Sequence, residues 1–178
     1  LGAQSLLPAV ALGNLLGGFA MLALSLRLAS GRPIDAGTGA RVWLWAAFGL
    51  VLLETALGGL ASASGSLLAC DGLSDCWAKA QDGPAWSALN PWHAPALGGG
   101  AGVQWAHRLG SWLVLLLAAP LAWRLRPHDR RGAAAVLACL LLQAALGPPM
   151  ASAGYPMALV LAHNVLAAFT LALLARWL

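Results

Sequence analysis

Charge is what this chain has least of. Only 9% of its 178 residues are charged, and Lys79 is the single lysine among 10 basic and 6 acidic side chains. A soluble domain carries about 25% charge, so an ordinary water-soluble globule is excluded. The nine arginines are too few and too scattered for a dense basic face, which argues against nucleic acid as a partner. Low hydrophobicity, the mark of a disordered chain, is also missing. Apolar residues make up 60% of the sequence and the mean hydropathy is +0.76. An integral membrane protein remains.

A helix needs about 20 mostly apolar residues to cross a bilayer. Five stretches qualify: 7–28, 41–63, 103–124, 132–151 and 155–177. The ~10-residue alternating segments of a transmembrane barrel are not found. If the five spans alternate, eight arginines fall on one side: Arg27, Arg32, Arg41, Arg124, Arg126, Arg130, Arg131 and Arg176. That side is expected to be cytoplasmic, so the long loop 64–102 faces outward, to a periplasm or its equivalent. Trp43, Trp45, Trp105, Trp123 and Trp177 fall near span ends, where amphipathic rings prefer to sit. The chain opens on Leu1 and Gly2 without a signal region, which reads like the tail of something earlier.

Of three cysteines, Cys139 falls mid-span and reads as a packing residue. Cys70 and Cys76 bracket CDGLSDC in the outer loop. In an oxidising compartment such a pair suggests a disulfide, with redox-active thiols or a metal pair as alternatives. Trp77, Trp86 and Trp92 in the same loop read as interfacial anchors or as the roof of a pocket.

An internal repeat is legible. ETALGGLASASG (54–65) and QAALGPPMASAG (143–154) lie 89 residues apart and share Ala56/Ala145, Leu57/Leu146, Gly58/Gly147 and Gly65/Gly154. Glu54 aligns with Gln143. The small residues Gly58, Ser62 and Gly65, with Gly147, Ala151 and Gly154, have the spacing of one helical face, which lets a helix or a flat ligand approach. Each copy precedes a span with an Ala-His motif, at His107 and His163. The expected architecture is therefore an all-α membrane protein of five transmembrane helices, the last four forming a pseudo-symmetric four-helix bundle. The first span resembles a third copy, with Asn14 where a histidine would stand.

An ionisable residue inside a membrane is a functional-site hypothesis by default. His93 and His128 fall in loops and read as solvated. His107 and His163 fall within spans at matching places. Two facing imidazoles among small residues suit a bis-His heme, since neutral imidazole nitrogen ligates iron. The plainer reading is that each bonds across helices. Arg108 could pair with a heme propionate or snorkel to headgroups. Glu54 is the one carboxylate inside a span; it reads more simply as an interhelical hydrogen-bonding group than as a proton or substrate contact. Gln104, one turn before His107, is expected to face the same pocket. Asn14, Glu54 and Gln104 complete the candidate pocket.

The order of these motifs resembles the heme A synthase family, proteobacterial type: an [E/Q]xxLG helix, an outer Cys pair, HRLG, a second QxxLG helix and a final HN helix. The likeness covers nearly the whole chain. It implies that residues 41–178 form a four-helix half holding heme b through His107 and His163, with outer loop 64–102. Residues 1–40 would be the last helix of a preceding half plus a cytoplasmic loop. It implies a Cys70–Cys76 disulfide near the heme, and oxidation of the methyl group of heme O to the formyl of heme A. Heme O is then the substrate, the bilayer the environment, and heme O synthase or cytochrome oxidase assembly factors the candidate partners. The bacterial inner membrane is the implied location. Two departures stand out. Asn14 replaces a substrate-side histidine, and Gln104 stands where the first half of the family carries a catalytic Glu. The competing readings are a non-catalytic b-type electron-transfer or respiratory-assembly subunit and a heme-free structural membrane protein.

Overall fold

The computed structural model of the protein describes residues 7–31, 34–35, 37–93 and 99–178. The tail at positions 1–2 and the arginine at position 32 lie outside them. Every regular element among the described residues is helical. The five long helices are α1 (Pro8–Ala29), α2 (Gly37–Ala63), α4 (Ala101–Leu125), α5 (Arg130–Ser152) and α6 (Met157–Trp177). A short α3 (Leu73–Lys79) and two 3₁₀ turns, Ser66–Leu68 and Gly83–Leu89, build the long loop. All five long helices are long and apolar enough to span a bilayer. Their ends lie within four residues of the expected spans, because apolar length is what a bilayer selects.

Contacts divide the chain into two compact units, with boundaries inside α1, α2 and α4. The first comprises Leu1–Gly17 and Glu54–Ser111; the second comprises Gly18–Leu53 and Trp112–Leu178. In the second unit, α2, α4, α5 and α6 share one core. Leu44 and Val51, Val114 and Leu121, Val136 and Leu140, and Leu171 and Leu174 represent the four helices in it. Alanine lets α1 approach, and Ala23 packs on Ala172 and Ala175 of α6. Asp129 caps the start of α5 by accepting from the Gly132 amide at 2.9 Å, which satisfies one of the orphan donors of a helix N-terminus. Cys139 is a half-buried free thiol within α5.

The repeat takes a different form from the expected face. Gly65 and Gly154 do not lie on the helices, which end at Ala63 and Ser152. Both glycines are left-handed, with φ of 69° and 72°. Each donates its amide to the carbonyl three residues back, Ser62 and Ala151, at 3.2 Å. Tyr155 then donates to Met150 at 2.8 Å, completing a Schellman cap in the second copy. A side chain disfavours the left-handed conformation, so the shared glycine marks a shared helix stop.

Trp177 does end α6, as expected, but is 1% exposed, with its indole N–H donating to the half-buried Asp129.

Candidate functional site

The first unit places the loop against the start of α4. Cys70 and Cys76 stand at disulfide-bonding distance, with Cα atoms 5.0 Å apart. Both are buried, and they pack with Ala85 and Ala101. Trp77 stacks on Trp105 of α4 at 4.9 Å between centroids, and Trp86 meets the same ring edge-on at 6.5 Å. Trp86 also donates to the Ala80 carbonyl at 2.9 Å. Trp77 and Trp86 thus pack on α4 through Trp105, although Trp77, like Trp92, keeps more than half of its surface exposed.

Below these rings α2 and α4 meet through two polar side chains and two glycines. Glu54, 7% exposed, extends from α2, and its Oε2 lies 3.0 Å from Nδ1 of His107 on α4. The ring N–H is not aimed at that oxygen, so the pair is close but off axis, and Nδ1 makes no hydrogen bond to any other described residue. Gly58, one turn beyond Glu54, lies under the imidazole. A Cβ there would sit 2.9 Å from Cε1 and 3.2 Å from Nε2. Gly110, one turn beyond His107, lies under the carboxylate. A Cβ there would sit 2.6 Å from Cδ of Glu54. The arrangement is reciprocal: each polar side chain occupies the space that the other helix leaves by carrying glycine. Ser111 Oγ donates to the His107 carbonyl at 2.8 Å and reaches Glu54 Oε2 at 3.5 Å.

The neighbours of His107 are tied to the loop. Arg108 donates to the Cys70 carbonyl at 3.2 Å, which anchors its guanidinium beside the cysteine pair. Gln104 is 2% exposed and donates to the Leu67 carbonyl at 2.9 Å. Its amide therefore secures the turn after α2. Asn14 is exposed on α1. His93 and His128 are exposed, as expected of loop residues.

His163 belongs to the second unit. It is half-buried on α6, with its Nδ1 buried. The two half-repeats are not equivalent around their histidines. Gly58 holds His107, whereas a Cβ on Gly147 would meet nothing within 4 Å. Gln143 stands where Glu54 stands in the first copy. Its Oε1 is buried and has no hydrogen-bond partner among the described residues. A separate groove of about 490 Å³ in the second unit is lined by Phe19, Ala23, Phe48 and Leu171, with Arg27 as its one charged group. It offers no donor set for a metal.

His107 could serve as one ligand to a cofactor that brings further metal ligands of its own. No group of three or more His, Cys, Asp or Glu side chains gathers to hold an ion among the described residues, but a porphyrin supplies four of its own nitrogens and asks the protein for one or two. His107 is a half-buried imidazole cradled on a glycine with a carboxylate at Nδ1, the outer partner typical of ligating histidines. Glu54 and Gly110 each stood in a visible motif, ExxLG and HRLG, but that the two meet depends on which helix packs opposite.

Loop electrostatics bear on stability rather than chemistry. Lys79, 2.9 Å away, holds the Asp75 carboxyl below its usual range, helped by the Asp71 amide. Burial opposes ionisation of Asp129, but the Gly132 amide, the Trp177 indole and Arg176 together hold its carboxyl low.

Comparison with known proteins gives one positive finding. Residues 5–175 match the COX15-CtaA family, described as cytochrome oxidase assembly protein. No curated protein and no solved structure matches the chain.

Proposed function

Because the chain belongs to the COX15-CtaA family of cytochrome oxidase assembly proteins, the heme A synthase family, we propose that it serves as a heme A synthase-type membrane oxidoreductase. In this reading residues 41–178 supply the bis-His heme b half, and His107 and His163 ligate the iron. The observation that carries the reading is the setting of His107: an imidazole on a membrane-spanning helix, seated over Gly58 with Glu54 beside Nδ1. Arg108 next to it is a cation for a propionate, already positioned by the Cys70 carbonyl.

Converting the methyl of heme O to a formyl consumes one water and releases four protons and four electrons, so the reaction needs an electron acceptor. A bound heme b would pass those electrons singly. In this reading the chain's own residues seat the imidazole over Gly58 and hold the Arg108 cation beside the loop. We assign the Arg-poor loop with Cys70 and Cys76 to the periplasmic side of a bacterial inner membrane, where a disulfide persists.

A second reading is a non-catalytic b-type electron-transfer subunit. It is favoured by Gln104, which stands where the first half of the family has a catalytic Glu and is engaged by Leu67.

Reduced-minus-oxidised spectra of the purified protein test the ligands. A low-spin b-type α band that disappears in His107→Ala and in His163→Ala supports the assignment; a band unchanged in both removes it. Heme extraction from cells that express the protein in a heme O background separates the two readings: new heme A marks the enzyme, and heme O alone marks the carrier.

A further inference from the structure

We propose that Glu54 is a positioning residue for His107: it holds the proton on Nδ1, leaves Nε2 as the iron-binding nitrogen and lowers the reduction potential of the iron on that side. The proposal rests on the reading of His107 as an iron ligand. Its support is the reciprocal fit. Glu54 Oε2 is 3.0 Å from Nδ1, Gly110 makes room for the carboxylate, and Gly58 makes room for the ring. A neutral imidazole carries one N–H, and the group bonded to it decides which nitrogen that is. A carboxyl oxygen beside Nδ1 can accept an N–H there, the arrangement that leaves Nε2 without a proton. It also increases the electron density at Nε2, which favours ferric over ferrous iron.

The same position in the second copy is Gln143, a neutral amide. The outer carboxylate beside Nδ1 is thus a feature of the first copy, at His107. Both glycines sit where a Cβ would crowd the pair, so the sequence leaves room for the carboxylate to lie beside Nδ1.

The test uses the full chain in detergent or nanodiscs, with heme content, midpoint potential and low-spin electron paramagnetic resonance read on each variant. Glu54→Gln, which copies the second half-repeat, is expected to retain heme within a few-fold and to shift the potential upward with a changed g-anisotropy. Glu54→Leu is expected to lower heme affinity about 10–100-fold, the usual cost of losing an outer-shell partner. Gly110→Ala displaces the carboxylate without removing it and is expected to reproduce the Glu54→Gln shift. A wild-type potential and g-tensor in both Glu54→Gln and Gly110→Ala overturns the proposal while leaving the ligand assignment standing. A low-spin spectrum unchanged in His107→Ala removes the ligand assignment, and the proposal falls with it.

Discussion

Trp177 donates its indole N–H to Asp129 across 3.1 Å, and Arg176 pairs with the same carboxylate oxygen at 2.9 Å. The other oxygen caps α5 through Gly132. One carboxylate thus joins the first turn of α5 to the last turn of α6.

Asp129→Ala is expected to cost about 2 kcal/mol, the scale of a lost N-cap plus a bond to a charged acceptor. The thermal midpoint in detergent measures it. Arg176→Gln should cost much less, because its side chain is 36% exposed and exposed pairs contribute about 0–1 kcal/mol.

The pH dependence of that knot has a definite sign. The folded state holds the Asp129 carboxyl below its usual range, so its contribution is present in full above an ordinary aspartate pKa of about 4. It is lost as pH falls through the depressed folded value. The stability gap between the protein and Asp129→Asn should be flat from neutral pH to about pH 5 and should narrow only below about 4. A gap that narrows between pH 7 and 6 would show another group at work.

Gly58→Ala and Gly147→Ala should separate in heme-free protein although the repeat aligns them. The first drives a Cβ to 2.9 Å from the His107 ring, whereas the second meets open space. Gly58→Ala should lower the thermal midpoint, and Gly147→Ala should lower it less, since its Cβ meets no neighbouring helix and only crowds Pro148 next in the chain.

Gly65→Ala and Gly154→Ala should each destabilise by about 1–2 kcal/mol, since both demand a left-handed residue and L side chains resist it. Equal losses would mark the two stops as equivalent. Asn, which tolerates this conformation, should recover part of each loss.

Reduction of Cys70–Cys76 closes no long loop, so the expected loss is about 2 kcal/mol. It should appear as a lower midpoint with reductant that Cys70→Ser does not show further.

Much of the fold was written in composition. Bilayer thickness sets apolar length directly, so the five spans were readable almost to their ends. Helix α2 starts at Gly37 rather than 41 because a helix can extend past the hydrocarbon through polar residues. The repeat was readable too, but not what its glycines do: a period that places Gly65 on a helical face cannot show that the helix has already stopped. The candidate site was half legible. His107 and Glu54 each stood out as polar residues in an apolar run, yet their meeting depends on how far α4 is slid along α2, and no local pattern encodes that. The place of Trp177 at a helix end was legible, but its bond to Asp129, 48 residues earlier, was not.

Two oily helices have few means of fixing how far one slides past the other, because a leucine meets the next leucine almost as well as the last. The crossed arrangement of Glu54 over Gly110 and His107 over Gly58 works as a key cut for one setting. Displaced by a turn, each polar group would meet a side chain and lose its counterpart, so the α2–α4 pair is indexed by chemistry rather than by bulk.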